Sequence, residues 1–192
     1  IKADGFNTVP RLLEKVYDKI IASGKDLSGI KKYIFFWAVS LGLRYELNGA
    51  NGWLYEQKLK LARKLVFSKW KQALGGKVEV IVSGGSALQP RLARIFHAAG
   101  MKVMEGYGLT ETAPVIAVNH AFYPNIRFGT VGPVIDGVEV KIAEDGEILC
   151  KGPNVMMGYY KAPELTAEVI DKEGWFHTGD IGVLEDGKFL KI

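Results

Sequence analysis

The sequence has almost none of the residues that build covalent or metal-bound frameworks. Among its 192 residues there is one cysteine, Cys150. A single cysteine excludes an internal disulfide framework and offers no thiol cluster for a structural metal ion. Scarce cysteine is typical of proteins that fold in a reducing compartment, so we expect a cytoplasmic location.

Long apolar runs are absent as well. The longest, residues 33–43, is flanked by Lys31, Lys32 and Arg44. It is well short of the roughly 20 residues that an apolar helix needs to cross a bilayer. The sequence therefore predicts no membrane-spanning segment, and any N-terminal targeting signal would lie upstream of these residues.

Charge of one sign does not dominate the sequence. With 48% hydrophobic residues, 24% charged residues and a net charge of +4, the composition is that of a soluble globular protein. The basic residues concentrate in one helical stretch: Lys58, Lys60, Arg63, Lys64, Lys69, Lys71 and Lys77. This is a local basic face and not a nucleic-acid-binding composition, so we expect no nucleic-acid partner.

The first part of the sequence has helical periodicity. Apolar residues recur at helical spacing over residues 11–21, and Gly24 is expected to end that helix. A second helix is predicted over 31–43. A third is predicted over 53–74, ending at Gly75 and Gly76.

The pattern then changes to that of an α/β sheet. A β-branched strand at 78–82, a glycine turn, a helix at 90–99 and a strand at 102–104 are typical of a parallel sheet flanked by helices. From residue 129 onward, strands alternate with turn signals, which predicts a small β subdomain. The predicted class is therefore α/β. Its expected parts are a helical segment at 1–76, a strand–helix–strand part at 77–128 and the β subdomain at 129–192.

Within the β subdomain, strands are predicted at 138–142 and 147–150. A hairpin is predicted at 183–192 around Asp186 and Gly187, because Asp-Gly suits a tight hairpin turn. A single helix is predicted at 163–171.

The most informative stretch is residues 105–112, Glu-Gly-Tyr-Gly-Leu-Thr-Glu-Thr, directly after a predicted strand. Open α/β sheets place their ligands at this end of their strands. The glycines let the backbone approach a ligand, a hydroxyl donates to phosphate oxygen, and a carboxylate holds a hard cation. Tyr107 offers a flat face to a base. Taken alone, an ordinary glycine-containing turn with a solvated Glu111 is an equally good interpretation.

Further motifs decide between these interpretations. They are Ser-Gly-Gly-Ser-Ala-Leu at 83–88, Gly-Glu-Ile at 146–148, a glycine-containing stretch at 151–160, and Gly-Trp-Phe-His-Thr-Gly-Asp at 174–180. In this order and at these intervals, they resemble the adenylate-forming superfamily, which contains acyl-CoA synthetases, luciferases and the adenylation domains of peptide synthetases. The resemblance covers nearly all of residues 78–192.

The resemblance implies a nucleotide site. Tyr107 would stack on adenine, Thr110 would contact the α-phosphate, and Glu111 would hold Mg²⁺, so Thr110 and Glu111 are the implied catalytic residues. Asp180 would accept hydrogen bonds from both ribose hydroxyls, which suits a carboxylate because it accepts more than one donor. The other implied nucleotide-binding residues are Glu105 and Gly106 beside the adenine, Gly84, Gly85 and Ser86 on its other side, and Gly108. This interpretation requires the turns near Gly85, Thr110 and Asp180 to meet.

The three histidines are not assigned to catalysis. His97, His120 and His177 are each expected to be packed or hydrogen-bonded, which is the commoner role of a histidine outside a metal or acid–base cluster.

The segment 9–17 indicates which subgroup of the superfamily the sequence resembles most. Its sequence, Val-Pro-Arg-Leu-Leu-Glu-Lys-Val-Tyr, resembles the Val-Pro-Arg-X-X-Glu-Lys-X-Tyr segment of long-chain fatty acyl-CoA synthetases. The long basic helix after Trp53 also occurs in that subgroup. It would either rest on anionic lipid at a membrane surface or pack its apolar side inward beneath a solvated face, and the second interpretation is favoured.

The implied activity is ATP-dependent activation of a fatty acid to acyl-adenylate and then to acyl-CoA, releasing pyrophosphate and AMP. The implied cofactors and co-substrates are ATP, Mg²⁺ and coenzyme A. Two alternatives stay open. One is adenylation of another carboxylic acid, and the other is a non-catalytic nucleotide-binding module of the same fold.

The ends of the sequence predict an internal piece of a longer chain. It begins at Ile1 without a methionine and stops at Ile192, directly after the strand-like Phe189 and Leu190. In the family, a Ser/Thr/Gly-rich phosphate loop precedes these residues. The second ribose-binding residue, a hinge and a C-terminal lid with a catalytic lysine follow them. We therefore expect these residues alone to form no acyl-CoA.

Overall fold

The computed structural model describes residues 3–192; residues 1 and 2, where the predicted helical segment begins, lie outside the described residues. The chain divides into two compact units, and the division falls between Met104 and Glu105. Each unit is described by itself. The three-part division at residues 76 and 128 stays a prediction.

The first unit contains most of the helices. Its elements are β1 (Gly5–Thr8), α1 (Pro10–Lys25), α2 (Gly29–Leu43), a 3-10 turn (Leu47–Gly49), α3 (Trp53–Ala62), a π-helical segment (Arg63–Phe67), α4 (Ser68–Ala73), β2 (Val80–Ser83), α5 (Pro90–Ala98) and the start of β3 (Lys102–Gly108). In the part of the chain that the structure describes, none of the helices is both long enough and apolar enough to cross a bilayer.

The first strands, β1 and β2, are parallel neighbours in a sheet of order β1-β2-β3-β4, in which β4 is Val115–Val118. β1 pairs with β2, with Phe6 opposite Ile81 and Thr8 opposite Ser83. The prediction that residues before 77 form only helices is wrong, because β1 lies among them. Its four residues lack periodicity of their own, and they become a strand because β2 supplies hydrogen-bonding partners from far along the chain. The predicted α/β class, with parallel strands and covering helices, is confirmed.

The sequence predicted that the first helix ends at Gly24, and this is wrong. α1 continues through Gly24 to Lys25. A Cβ at position 24 would overlap the ring of Phe35 on α2. The glycine is therefore explained by the close approach of two helices and not by helix termination.

The third predicted helix is present with an interruption. α3 passes into the π-helical segment and then α4, which ends at Ala73. Gly75 and Gly76 follow with φ of 101° and 86°, and the Gly76 N–H donates to the Lys71 carbonyl at 2.8 Å. This is the glycine-dependent helix end that the sequence predicted.

The apolar side of this long helix packs inward. Leu59, Ala62, Phe67 and Trp70 are buried. This agrees with the favoured interpretation of the basic stretch as the solvated side of a packed helix. Four apolar residues of α3 and the π-helical segment nevertheless stay exposed: Trp53, Leu54, Leu61 and Leu65.

The second unit is mostly strands. After β3 come a 3-10 turn (Thr110–Thr112), β4 (Val115–Val118), β5 (Gly132–Pro133), β6 (Glu139–Ile142), β7 (Glu147–Lys151), α6 (Pro163–Val169), β8 (Phe176–Ile181), β9 (Val183–Glu185) and β10 (Phe189–Lys191). Two three-stranded sheets have the orders β5-β10-β9 and β6-β7-β8. The predicted hairpin is confirmed: β9 and β10 pair antiparallel around Asp186 and Gly187, whose φ values are 51° and 63°.

The core of the second unit joins these sheets. Ile116 of β4, Ile148 and Cys150 of β7, Phe176 of β8 and Leu190 of β10 form one buried cluster. Their strand neighbours are buried as well: Ala117 beside Ile116 belongs to the same cluster, and Leu149 between Ile148 and Cys150 is 5% exposed. The strand ends around this cluster carry the predicted site residues of the second unit.

Candidate functional site

Residues 105–112 were expected to follow a strand, but the first four of them belong to that strand, β3. β3 runs on to Gly108, so residues 105–108 are strand and the predicted strand end at Met104 is wrong. The second half of β3 is antiparallel to β4, with Tyr107 opposite Ala117. β4 supplies backbone partners that a sequence with two glycines does not reveal. The register shifts between Tyr107 and Gly108, which ends the regular pairing.

A tight turn follows Gly108. A Cβ at this position would overlap the carbonyl of Pro114, so glycine is required by the close backbone approach. Thr112, which is fully buried, holds the turn from inside. Its hydroxyl accepts a hydrogen bond from the Leu109 N–H at 3.0 Å and donates to the Pro114 carbonyl at 2.7 Å.

This turn presents Thr110 and Glu111. Thr110 is exposed and Glu111 is partly buried. The Glu111 carbonyl accepts a hydrogen bond from the Met156 N–H at 2.7 Å, and its carboxylate accepts one from the Tyr159 hydroxyl at 3.0 Å. The hydrogen bond to Glu111 raises the pKa of Tyr159. Two separate sequence motifs are thereby joined, because Met156 and Tyr159 belong to the glycine-containing stretch 151–160.

Tyr107 and Asp180 are in direct contact. The Tyr107 hydroxyl donates to Asp180 Oδ2 at 2.8 Å, although the two residues are 73 positions apart. The Tyr107 side chain packs against the core cluster of the second unit. Burial raises the pKa of Tyr107, and the hydrogen bond to Asp180 acts in the same direction. The phenol is therefore a protonated donor at neutral pH, and the expected proximity of these two residues is present.

A bulge in β8 presents Asp180. Leu149 pairs with His177, and Glu147 pairs with Ile181. A step of two residues along β7 therefore corresponds to a step of four residues along β8. Bulges of this kind change the direction in which a side chain points. Gly179, inside the bulge, has φ of 74°, a conformation that suits glycine.

Side chains take over the hydrogen bonds that the bulge disrupts. The Thr178 hydroxyl donates to the Ile148 carbonyl at 2.8 Å and accepts from the Asp180 N–H at 3.1 Å. The Gly179 N–H donates to Glu147 Oε1 at 2.8 Å. The other carboxylate oxygen of Glu147 lies 2.8 Å from His177 Nδ1.

Sequence reasoning did not identify Thr178 and Glu147 as site residues. Both occur in family motifs, Gly-Glu-Ile at 146–148 and Gly-Trp-Phe-His-Thr-Gly-Asp at 174–180, but their contacts depend on the pairing of β7 with β8. His177 is hydrogen-bonded, and His97 is buried and hydrogen-bonded to Val103, in line with the expectation for these residues.

The glycine turn at 84–86 belongs to the first unit. The Gly84 N–H donates to the Thr8 carbonyl at 3.1 Å, which places the turn at the carboxyl ends of parallel β1 and β2. Gly85 has φ of 82°, and Ser86 is exposed. Ligands of open α/β sheets bind at this end of the strands. The implied role of this turn beside the adenine stays a prediction.

Glu105 and Gly106 precede Tyr107 on β3. Glu105 is 6% exposed, and its carbonyl accepts a hydrogen bond from the Asn119 N–H at 2.8 Å. Their implied place beside the adenine, like that of Gly108, stays a prediction.

No preformed metal centre is present within residues 3–192: no three His, Cys, Asp or Glu side chains of this range are grouped so as to hold a metal ion. Magnesium at nucleotide sites is commonly bound by one or two carboxylates together with phosphate oxygens and water. The single carboxylate of Glu111 fits that kind of site.

Comparison with known proteins gives similarity to ligases of long-chain fatty acids. The long-chain-fatty-acid–CoA ligase FadD15 of Mycobacterium bovis is 36% identical over 188 residues, covering 96% of this chain and 30% of the relative. Long-chain-fatty-acid–CoA ligase 5 of Rattus norvegicus is 37% identical over 202 residues, covering 100% and 29%. The peroxisomal long chain acyl-CoA synthetase 7 of Arabidopsis thaliana is 36% identical over 200 residues, covering 97% and 28%. The chain thus spans less than a third of the length of these relatives.

Solved structures show the same fold. A malonyl-CoA ligase in a ternary product complex with methylmalonyl-CoA and AMP aligns with a TM-score of 0.62 at 25% identity, covering 99% of this chain and 33% of that one. The o-succinylbenzoate coenzyme A synthetase of Bacillus subtilis, in complex with ATP and magnesium ion, aligns with a TM-score of 0.53 at 30% identity, covering 60% and 26%.

A family model agrees with these similarities. The model described as AMP-binding enzyme matches residues 1–160, which include the turn at 84–86 and the stretch from Glu105 to Tyr160. The chain therefore belongs to the AMP-binding enzyme family.

Proposed function

We propose that the protein containing this chain activates a fatty acid in two steps. The carboxylate first attacks the α-phosphate of ATP, giving acyl-adenylate and pyrophosphate, and the thiol of coenzyme A then displaces AMP. The observation that carries this proposal is the hydrogen bond between Tyr107 and Asp180, since it joins the two motifs that would hold opposite parts of one nucleoside.

Residues of the second unit would bind the nucleotide in the following way. The ring of Tyr107 stacks on the adenine, and the carboxylate of Asp180 accepts hydrogen bonds from the ribose hydroxyls. Thr110, exposed on its turn, donates to an oxygen of the α-phosphate. Both steps place negative charge on oxygen, so positioning and electrostatic stabilisation supply the catalysis, and no side chain acts as a covalent nucleophile.

Glu111 would hold the magnesium ion. When bound, the ion neutralises negative charge on the phosphates. The Glu111 carboxylate is oriented by the Tyr159 hydroxyl, and its backbone is fixed through Met156. The turn therefore keeps a carboxylate in a defined position one residue from Thr110.

Two observations support a fatty acid as the substrate. The segment 9–17 resembles the corresponding segment of long-chain fatty acyl-CoA synthetases, and the relatives named above are ligases of long-chain fatty acids. The solved neighbours are ligases of malonate and o-succinylbenzoate, which favour another carboxylic acid as the second candidate. A cytoplasmic location and contact with a membrane surface stay predictions.

Pyrophosphate exchange with the full-length protein tests the proposal. We expect ATP–pyrophosphate exchange to depend on added acid and to be fastest with long-chain fatty acids in a panel that includes malonate, aromatic acids and amino acids. Fastest exchange with another acid would support the second candidate. Normal ATP binding without exchange for any acid would instead identify a non-catalytic nucleotide-binding module.

A further inference from the structure

We propose that Glu147 is a positioning residue: its carboxylate holds the β8 bulge in the shape that directs Asp180 to Tyr107. The consequence for ribose recognition rests on the proposed function, but the positioning itself is a statement about the geometry of β7 and β8. Glu147 acts through Asp180 and is not expected to touch the nucleotide.

The two oxygens of Glu147 bind on both sides of Thr178. Oε1 accepts from the Gly179 N–H, and Oε2 lies 2.8 Å from His177 Nδ1. One carboxylate therefore fixes the backbone of the residue directly before Asp180 and the side chain three residues before it. The Glu147 side chain is only 18% exposed, so water competes weakly for these bonds.

The Gly179 N–H needs this acceptor. In a regular antiparallel pair, alternate backbone N–H groups donate to the neighbouring strand, but the bulge removes the pairing opposite Ile148. Thr178 and Glu147 replace that pairing with side-chain oxygens. Hydrogen bonds to a carboxylate are stronger than those to neutral acceptors, so Glu147 is well suited to hold a backbone that the sheet does not.

A second carboxylate, that of Asp171, lies near the other ring nitrogen of His177. His177 Nε2 lies 3.9 Å from Asp171 Oδ2. The other oxygen of Asp171 accepts hydrogen bonds from the Trp175 and Glu173 N–H groups, both at 2.9 Å. These backbone bonds, that from Trp175 foremost, lower the pKa of Asp171. The His177 ring thus lies between two carboxylates, with Glu147 at Nδ1 and Asp171 at Nε2.

The test is the preference of the full-length protein for ATP over 2′-deoxyATP. The readout is the ratio of the kcat/KM values for acid-dependent adenylate formation. We expect Glu147→Ala to reduce that ratio by about tenfold, the loss typical of one misplaced hydrogen bond to a charged group. Glu147→Gln keeps a neutral acceptor for the Gly179 N–H and should retain part of the preference. If the glutamine and alanine variants both keep the full preference, the proposal is overturned.

Two controls separate positioning from general destabilisation. Glu139→Gln removes a carboxylate from exposed Glu139 on β6 of the same sheet, and it should leave the ratio unchanged. In an Asp180→Ala background, Glu147→Ala should reduce the ratio no further, because its effect passes through Asp180. An equal reduction in both backgrounds would show that Glu147 does not act through Asp180.

A crystal structure of Glu147→Ala distinguishes this inference from the proposed function. We expect the Tyr107 hydroxyl to lose its 2.8 Å contact with Asp180 Oδ2 in the variant. Retention of that contact would refute the positioning role. If the wild-type protein shows no preference for ATP over 2′-deoxyATP, the ribose role of Asp180 fails, and this structure still decides what Glu147 does.

Discussion

At the scale of single residues, the site depends on hydroxyl groups that orient carboxylates. Tyr107 donates to Asp180, and Tyr159 donates to Glu111. In both pairs an aromatic side chain is anchored in one sequence motif and the carboxylate in another. The carboxylate is thereby held before any ligand arrives, which lowers the entropy that binding would otherwise have to remove.

Tyr107→Phe tests the first pair. The substitution keeps the ring that would stack on adenine and removes the hydroxyl that donates to Asp180, so we expect the KM for ATP to rise about tenfold. The measurement is the ATP dependence of pyrophosphate exchange by the full-length protein. Tyr160→Phe, at a side chain that is 88% exposed, is the matched control. An unchanged KM for ATP in Tyr107→Phe would mean that the hydroxyl does not orient Asp180.

Tyr159→Phe tests the second pair. Without the Tyr159 hydroxyl the Glu111 carboxylate loses an orienting donor, so we expect half-maximal activity to need a several-fold higher Mg²⁺ concentration. Titration of Mg²⁺ at saturating ATP measures this directly. Tyr33→Phe, at an exposed tyrosine of α2, should leave the Mg²⁺ dependence as it is. Identical titrations of Tyr159→Phe and the wild type would show that the Tyr159 hydroxyl does not orient Glu111 for the metal ion.

At the scale of secondary-structure elements, the packing of α1 on α2 overrides local preference. Alanine is about 1 kcal/mol more favourable than glycine in a helix. At Gly24, however, a methyl group would overlap the ring of Phe35. We therefore expect Gly24→Ala to lower the free energy of unfolding by about 1–3 kcal/mol, the usual cost of overpacking.

Urea denaturation of the Gly24 variants checks this expectation. Adding Phe35→Leu to Gly24→Ala should recover part of the loss, because the smaller side chain makes room for the methyl group. Ser23→Ala, on an exposed neighbour in α1, serves as the control. A Gly24→Ala variant more stable than the wild type would show that the two helices separate easily.

Elements were predictable where local chemistry decides them. The helix end at Gly75 and Gly76 and the hairpin at Asp186 and Gly187 follow from the backbone freedom of those residues. β1 and the second half of β3 were not predicted, since neither has the alternation of a half-buried strand. Their strand conformation depends on partners, β2 and β4, that only the folded chain brings alongside.

At the scale of the whole molecule, His97 links stability to pH. It is 6% exposed, its Nε2 is within hydrogen-bond distance of both the carbonyl oxygen and the nitrogen of Val103, at 2.9 and 3.0 Å, and its ring stacks with Tyr45. Burial lowers the pKa of His97 to about 4 from 6.5. Between these values the unfolded chain binds a proton that the folded chain does not, so stability is complete above pH 6.5 and falls as the pH falls toward 4.

The expected size of this effect is on the order of 3 kcal/mol. The measurement is the unfolding free energy of the full-length protein from urea denaturation at several pH values between 4 and 7. His97→Gln should decline less over this range, whereas His120→Gln, at an exposed histidine, should follow the wild type. Parallel curves for His97→Gln and the wild type would assign the decline to other groups.

The family was recognisable from the sequence alone, and the resemblance to it implied the residues of the proposed site. The order and spacing of its glycine-containing motifs, with Tyr107, Thr110, Glu111 and Asp180 among them, indicated a nucleotide-binding protein, and the family match agrees. Such motifs are visible in sequence because close backbone approach and charge restrict each position to one or two residue types.

Only the tertiary structure decided how Asp180 is presented. The β8 bulge, the contact with Tyr107 and the support from Glu147 all depend on the register between β7 and β8. Register is a relation between strands that are distant in sequence, set by which side chains reach the shared core and which backbone groups find partners. No local pattern around Asp180 or Glu147 contains that information.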